Sequence, residues 1–239
     1  MKTITLILLL NVTCIISVSS QTTPNYLPTK GLVAWWPFNG NTDDESMNGN
    51  YAINHGCKLT TDRFGVQNKA YSFDGIYSHI EVEIQNNTLQ LKNNFTISVW
   101  ANLKFNLNNS QVIFSKGDKS SNEYSLVCSN EQDLYINKEN FDTNNLISFS
   151  NHFNKWTNIV CVFKNGFVLV YINGKFVATN LITDAILPSS LSLVFGAVFK
   201  IGTNTPVKNS YLTGDLDDIG IWDVALSAEE INKIYLSAE

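Results

Sequence analysis

The sequence predicts a mostly β protein built as a two-sheet antiparallel sandwich, and three observations lead to this fold class. Residues 160–178 contain three apolar runs separated by Asn165-Gly166 and Asn173-Gly174. Asn and Gly tolerate the positive φ of a type I′ hairpin, so two such turns in succession indicate an antiparallel meander. Residues 95–100 alternate with the period of two that is typical of a strand, with Phe95, Ile97 and Val99 on one face and Thr96, Ser98 and Trp100 on the other. Short apolar runs also recur with turn residues between them, which favours a sandwich over alternating βαβ units.

The chain begins with a predicted targeting segment. Lys2 precedes an apolar run over residues 4–16, and small residues follow at 18–20. This pattern predicts a secretory signal peptide over residues 1–20 and a single secreted domain over residues 21–239. The apolar run is too short to span a membrane comfortably, and no second run approaches spanning length.

Each predicted strand is rich in β-branched or aromatic residues and is bounded by Gly, Asn, Asp or Ser. The strands are predicted at 32–38, 70–74, 79–84, 95–100, 111–115, 124–128, 134–137, 146–150, 156–163, in the two hairpin arms that end at 178, at 191–195 and at 214–222. Residues 39–54 are predicted to form a loop because Gly, Asn, Asp and Ser dominate there.

One short helix is predicted at the C-terminus. Ser227 is a favourable N-cap, and Glu230 three residues later completes a capping box. Ile231, Ile234 and Tyr235 then recur at helical spacing, so the helix is expected to pack over the sandwich.

Charge excludes two classes of partner. The net charge of the 239-residue chain is -5, and its Lys and Arg residues form no notable cluster. Nucleic acid and anionic membranes are therefore poor partners, whereas a mildly acidic, Asn-rich surface fits a soluble extracellular module.

The mature chain has an odd number of cysteines. Cys128 and Cys161 both lie in apolar strands, so one cross-strand disulfide is compatible with an oxidising compartment. Buried free thiols that act as small hydrophobic groups are the alternative, and Cys57 has no evident partner.

The residues show no catalytic constellation. A retaining glucanase needs two carboxylates on one sheet face, commonly in a Glu-x-Asp-x-(x)-Glu arrangement. The nearest run, Glu81-Val82-Glu83, lacks the third acid, and its alternation reads as the solvent-facing side of a strand. His55, His79 and His152 are scattered along the chain, and His55-x-Cys57 is too little for a metal site.

Aromatic residues give a weaker indication of a ligand surface. Trp35 and Trp36 are neighbours on a strand, and the pattern places Trp35 inward. Phe105, Phe141 and Phe153 lie in Asn-rich, loop-like surroundings, and they are the aromatic candidates for a ligand or partner surface.

Short motifs in a fixed order carry a family resemblance. They are GLVAWWPFNGN at 31–41, DESMNGN at 44–50, LTTDRFG at 59–65, AYSFDG at 70–75, FTISVWA at 95–101, VYINGK at 170–175 and GDLDDIGIWDVALSAEEI at 214–231. Together they resemble the laminin-G-like (LamG) jelly rolls of the concanavalin A-like superfamily. The resemblance implies an all-β jelly-roll sandwich of two antiparallel sheets that is used to bind carbohydrate or protein.

The resemblance also implies a structural calcium ion. Carried across by position, its ligands are Asp44, Ser46 and Asn50 in the loop after the first strand and Asp217 in the closing strand. The loop is dense in the carboxylate, amide and hydroxyl oxygens that calcium prefers. Met47 stands where the family has Gly, so a positive φ there would cost strain. The alternative is that these side chains only cap turns on a solvated loop.

The leading functional hypothesis is a secreted, non-catalytic module that binds an extracellular carbohydrate or surface ligand. It would use loops at one rim or a sheet face, and the residues do not identify the ligand-binding side chains. A protein–protein adhesion module is one alternative. A glycoside hydrolase or polysaccharide lyase with a divergent site is the other.

Overall fold

The computed structural model describes residues 23–84, 87–117, 123–137, 146–182, 186, 190–200, 202–203 and 205–237. The predicted signal peptide lies outside these residues. The described strands are β1 (Leu32–Trp36), β2 (Ala52–His55), β3 (Lys58–Thr60), β4 (Ala70–Asp74), β5 (His79–Val82), β6 (Phe95–Leu103), β7 (Gln111–Lys116), β8 (Tyr124–Cys128), β9 (Asp133–Asn137), β10 (Ile147–Ser148), β11 (Thr157–Lys164), β12 (Phe167–Ile172), β13 (Lys175–Leu181), β14 (Leu193–Phe195) and β15 (Thr213–Trp222). A 3-10 turn covers Ser150–His152, and one α-helix, α1, covers Ala228–Leu236.

The strands form two antiparallel sheets, which confirms the predicted all-β sandwich. The eight-stranded sheet has the order β13-β12-β11-β6-β15-β4-β3, and β1 also pairs with β15. The seven-stranded sheet has the order β10-β9-β8-β7-β14-β5-β2. Because β1 pairs with β15, the first and last strands lie side by side.

The two predicted hairpins join β11, β12 and β13. Asn165 and Gly166 have φ values of 51° and 81°, and Asn173 and Gly174 have φ values of 50° and 73°. Two consecutive positive φ angles are what a type I′ turn requires. Local turn chemistry therefore fixes the register of this edge of the eight-stranded sheet.

The main core lies between the sheets, and a second apolar cluster covers the outer side of the eight-stranded sheet. On β6 the buried Phe95, Ile97 and Val99 belong to the main core. The second cluster contains Trp35, Trp222, Ile231 and Ile234 together with neighbouring apolar residues. Helix α1 therefore packs over the sandwich as predicted, and its Ser227–Glu230 capping box is present.

Three local predictions were wrong or incomplete. Trp36 faces the main core and contacts Phe195 edge-on, whereas Trp35 lies in the second cluster, so the two tryptophans are reversed. The predicted loop over residues 39–54 ends in strand β2. Of the predicted strand over residues 146–150, only Ile147–Ser148 is extended. Short strands at sheet edges have too few residues to show a period.

Candidate functional site

A groove lies on the outer face of the seven-stranded sheet. On β8, Leu126 and Cys128 point into the main core, so Ser125 and Val127 point outward. Val127 lies opposite Val112 of β7 and Tyr135 of β9 in the sheet register. The groove has a volume of about 330 Å³. Its lining residues are Ser110, Val112, Ser125, Val127, Tyr135, Val198, Val207, Lys208, Asn209 and Ser210.

The wall of the groove is the segment between β14 and β15, which crosses the same face. Ser115 donates its hydroxyl proton to the carbonyl of Ala197 at 2.8 Å, and the Val112 amide donates to the carbonyl of Ser210 at 3.0 Å. The Ser210 hydroxyl in turn donates to the Val207 carbonyl at 2.8 Å. These bonds anchor both ends of the wall to the sheet, so the groove is a built feature of the fold.

The groove combines an apolar floor with polar groups at its rim. Val112 and Val127 are each 5% exposed and form the floor. Tyr135 is half-buried and hydrogen bonds to the side chain of Ser110, and burial raises the pKa of its phenol. Lys208 and Asn209 are exposed on the wall. An aromatic ring with hydroxyl, amide and ammonium groups around it suits a small polar ligand that has apolar faces.

A second, smaller cleft lies beside a buried charge cluster on the other sheet. Its volume is about 140 Å³. The Arg63 guanidinium donates to Asp217 at 2.7 Å and to Asp218 at 2.5 Å. It also lies over the rings of Phe64 and Trp100, with centroid distances of 4.3 and 4.9 Å. The side chain of Arg63 is only 4% exposed, so this cation is almost completely withdrawn from water.

Local backbone geometry brings both carboxylates to the same guanidinium. The Asp62 carboxylate accepts hydrogen bonds from the amides of Phe64 and Val66 at 2.9 and 2.8 Å, which turns the chain and aims Arg63 inward. Asp218 has a φ of 41°, within the bulge that interrupts the β15–β6 register. Adjacent residues of a regular strand would face opposite sides, but the bulge breaks that alternation, so both Asp217 and Asp218 reach Arg63.

The charge cluster perturbs its carboxylates. Burial and, to a smaller extent, the nearby Asp218 carboxylate raise the pKa of Asp217 to about 8, against the lowering effect of Arg63. Burial likewise raises the pKa of Asp218, against the effect of Arg63. Two carboxylates share one guanidinium, so the cluster retains excess negative charge when both are ionised.

Three of the four predicted calcium ligands lie in one hydrogen-bond network. Asp44 Oδ1 accepts from the amides of Trp35 and Ser46, and Asp44 Oδ2 accepts from the amide and side chain of Asn50, all at 2.8–2.9 Å. The Ser46 hydroxyl donates to the Val33 carbonyl at 3.3 Å. Met47 has a φ of 71°, so this position does adopt the left-handed region.

Asp217 is engaged elsewhere. Its Oδ2 contacts Arg63 and its Oδ1 accepts from the Asp218 amide at 2.8 Å, so both carboxylate oxygens already have partners. The chemistry of Asp44, Ser46 and Asn50 fits calcium, but an ion there would displace N–H donors from Asp44. Calcium binding at this loop stays a prediction.

The structure brings together two of the three histidines that looked scattered. His55 of β2 lies opposite His79 of β5, and their rings stack with a centroid distance of 4.4 Å. His55 Nε2 is 3.4 Å from Glu81 Oε2. His79 and Glu81 are only 9% and 8% exposed, so the expectation of a solvent-facing strand side is wrong. Burial lowers the pKa of His79.

The nearest carboxylate pair in the sequence also separates in the structure. Glu81 lies in β5 and accepts a hydrogen bond from the Ser192 hydroxyl at 2.7 Å, whereas Glu83 lies beyond the strand and is exposed. The two carboxylates therefore occupy different environments, and their spacing of two residues does not place them together as a pair.

The other predicted candidates have structural contacts. Cys57, Cys128 and Cys161 are free and buried, and burial raises the pKa of each thiol to about 12. Phe105 and Phe153 pack against each other with a centroid distance of 5.2 Å, and Phe141 lies outside the described residues.

A family model places the chain among known proteins. The Laminin_G_3 model, described as "Concanavalin A-like lectin/glucanases superfamily", matches residues 74–232. A search of curated protein sequences found no match. In the described part of the chain, no helix has both the length and the apolar character to cross a membrane.

Solved structures with a similar fold come from several kinds of protein. Trypanosoma rangeli sialidase has a TM-score of 0.66 and 16% identity over 88% of this chain and 33% of that chain. The botulinum neurotoxin serotype D binding domain has a TM-score of 0.63 and 18% identity over 87% and 52%. Domain 4 of AbnA, a GH43 extracellular arabinanase from Geobacillus stearothermophilus in complex with arabinotriose, has a TM-score of 0.60 and 19% identity over 85% and 98%. The chain thus spans about half of the neurotoxin chain and a third of the sialidase chain. Similarity at this level shows the fold alone.

Proposed function

The chain belongs to the Laminin_G_3 family of the concanavalin A-like lectin/glucanase superfamily, and from this premise we propose that it is a secreted, non-catalytic module that binds extracellular carbohydrate. The groove on the seven-stranded sheet is the proposed binding site, and residues 1–20 are the proposed export signal on a single domain covering residues 21–239. The observation that carries the proposal is the lining of the groove.

The groove offers what a sugar ring needs from a protein. A pyranose or furanose has apolar C–H faces and hydroxyl groups that both donate and accept. Val112 and Val127 provide an apolar floor, and Tyr135 provides a ring and a phenolic hydroxyl. Lys208 and Asn209 provide donors and an acceptor at the exposed edge. A groove of about 330 Å³ is within the usual size of a small-molecule site.

The comparison with the arabinanase domain gives this proposal its first probe. That domain matches over 98% of its own length and was solved with arabinotriose. A similar fold in a sugar complex supports testing short oligosaccharides here. It does not identify the sugar, because specificity depends on the side chains that line the groove.

Replacing Tyr135 and Lys208 by alanine is expected to weaken binding of an oligosaccharide at least about tenfold, which corresponds to ~1.4 kcal/mol. The double variant removes the ring and the ammonium group of the groove without touching the core. Isothermal titration with arabinotriose and with the strongest ligand from a glycan array measures the loss.

Phe176→Ala is the matched control for that experiment. Phe176 is an exposed aromatic residue of β13 on the other sheet, so its removal should leave affinity unchanged. A double variant that binds as tightly as the wild type would remove the groove as the binding site. Failure of the wild type to bind any glycan would overturn the carbohydrate assignment.

A protein–protein adhesion module is the second candidate, and an exposed apolar strip favours it. Phe167 of β12 and Phe176, Val177 and Leu181 of the edge strand β13 are each between 43% and 62% exposed. Exposed apolar residues in one region are typical of interaction surfaces. Under this alternative, substitutions in the strip rather than in the groove would abolish binding.

We also propose that the loop after β1 binds calcium through Asp44, Ser46 and Asn50. Because an ion would displace N–H donors from Asp44, we expect weak binding, in the range of about 10⁻⁴–10⁻³ M that is known for extracellular modules. Millimolar calcium should raise the thermal unfolding midpoint, and Asp44→Asn should abolish that rise. An equal rise in wild type and variant, or no rise in the wild type, would exclude this site.

A further inference from the structure

We propose that His55, His79 and Glu81 form a binding site for a divalent transition-metal ion, with zinc as the preferred metal. The three side chains lie on the outer face of the seven-stranded sheet and share no residue with the groove. One ligand atom from each lies within 4.8 Å of the others. The site is therefore independent of the proposed carbohydrate function.

The sheet register brings the three ligands together. Ile80 and Val82 of β5 are fully buried in the main core. His79 and Glu81 alternate with them along the strand, so both point to the opposite face of the sheet. His55 lies directly opposite His79 across the β2–β5 pair. All three ligands therefore lie on paired strands rather than in loops, and the strand pairing fixes their relative positions.

Neighbouring groups orient two of the ligands for coordination. His79 Nδ1 lies 3.0 Å from the Tyr77 carbonyl oxygen, and a carbonyl only accepts, so Nδ1 carries the proton. The lone pair of the neutral ring is then on Nε2. Glu81 Oε1 accepts from the Ser192 hydroxyl at 2.7 Å, which leaves Oε2 on the side of His55. Such outer-shell hydrogen bonds are what fix the tautomer and orientation of metal ligands.

The ligand types select the class of ion. Two imidazoles and one carboxylate suit zinc and similar first-row ions, whereas calcium and magnesium prefer a set made of oxygens alone. His55 is 41% exposed, so the site opens to solvent and a water molecule can complete a four-coordinate ion. A site with three protein ligands and one open position can also polarise a bound water or ligand oxygen.

Binding requires a small movement of His55. The two rings are nearly parallel, with an interplanar angle of 6°, and the lone pair of an imidazole lies in the plane of its ring. One ring nitrogen of His55 and one of His79 can therefore bind the same ion only if one of the two rings rotates. His79 is held by Tyr77 and packed edge-on against Phe199, so the exposed His55 is the ring that turns.

The test is a zinc titration of the untagged protein after chelator treatment. Isothermal titration should give one zinc ion per chain, and cobalt substitution should give the visible absorption of a four-coordinate ion. His55→Ala should weaken zinc binding by more than the ~10–100-fold that loss of an outer-shell partner causes. Glu81→Gln, which retains a partner for Ser192, should weaken it comparably and keep the fold.

His152→Ala is the matched control, because His152 lies in the 3-10 turn and belongs to a different part of the fold. It should leave zinc binding and the cobalt spectrum unchanged. A wild type that binds no zinc, or a His55→Ala variant that binds it as tightly as the wild type, would overturn the proposal. Unfolding curves of all three variants establish that any loss reflects a missing ligand.

Discussion

Arg63→Met is expected to lower the free energy of unfolding by about 3–5 kcal/mol, because the buried Asp217 and Asp218 lose their cation and must either stay ionised without a partner or take up protons. Asp217 is 2% exposed, and the side chain of Asp218 is 12% exposed, so water cannot replace the guanidinium. Methionine retains the packing volume against Trp100 and isolates the loss of charge. Chemical denaturation with two spectroscopic probes measures the change.

The same cluster supplies the matched controls for that substitution. Adding Asp217→Asn and Asp218→Asn to Arg63→Met removes the unpaired charges and should restore most of the lost stability. Lys69→Met, at the rim of the adjacent cleft, should change stability by less than about 0.5 kcal/mol. An Arg63→Met variant that loses less than about 1 kcal/mol would contradict this prediction, because the two carboxyl groups would then be solvated or protonated at little cost.

Lys116→Met is expected to have an effect of similar size, about 3–5 kcal/mol, on the other sheet. Lys116 ends β7 with its side chain completely buried, and its Nζ donates to Glu123 at 3.0 Å and to the Leu191 carbonyl at 2.7 Å. Burial lowers the pKa of Lys116, and Glu123 opposes that change. The substitution leaves a carboxylate in the core and removes the tie between β7 and the chain that leads into β14. Equilibrium denaturation of the variant measures the loss.

A double substitution separates charge from packing at this site. Lys116→Met combined with Glu123→Leu should recover to within about 1–2 kcal/mol of the wild type, because a buried ion pair and an apolar pair of similar volume are often close in energy. Lys104→Met is the exposed control. If the double variant does not regain stability, the lost hydrogen bond to the Leu191 carbonyl, rather than the unpaired charge, would account for most of the destabilisation.

The parts of the fold that local signals encode were predictable from the sequence. The Asn165-Gly166 and Asn173-Gly174 turns and the Ser227–Glu230 capping box are each specified within a few residues, and the structure contains all of them. The alternation that begins at Phe95 likewise predicted strand β6, whose Phe95, Ile97 and Val99 face the main core.

The parts that depend on long-range register were not predictable. His55 and His79 meet only because β2 pairs with β5, and the sequence of neither strand indicates which strand it pairs with. Arg63 reaches Asp217 and Asp218 because a bulge in β15 turns two consecutive acids to one side. Sequence spacing gives the period of a strand but not its bulges, so it did not predict that both acids face Arg63.

The groove was missed for a related reason. Val112, Val127 and Tyr135 come from three strands, and the wall of the groove comes from a segment with weak periodicity. A weak signal was present: the outward positions of β8 carry serine and valine, and the outward Tyr135 of β9 lies between Asp133 and Asn137. An outer sheet face with that composition indicates a covered or ligand-binding surface.

Mapping of backbone amide chemical shifts during titration with the strongest oligosaccharide ligand tests the central claim most directly. We predict that the saturable shifts concentrate on Val112, Val127, Tyr135 and Lys208 of the groove. Shifts concentrated on Phe176 and Leu181 of strand β13, or no saturable shifts with any sugar that the protein is offered, would contradict it.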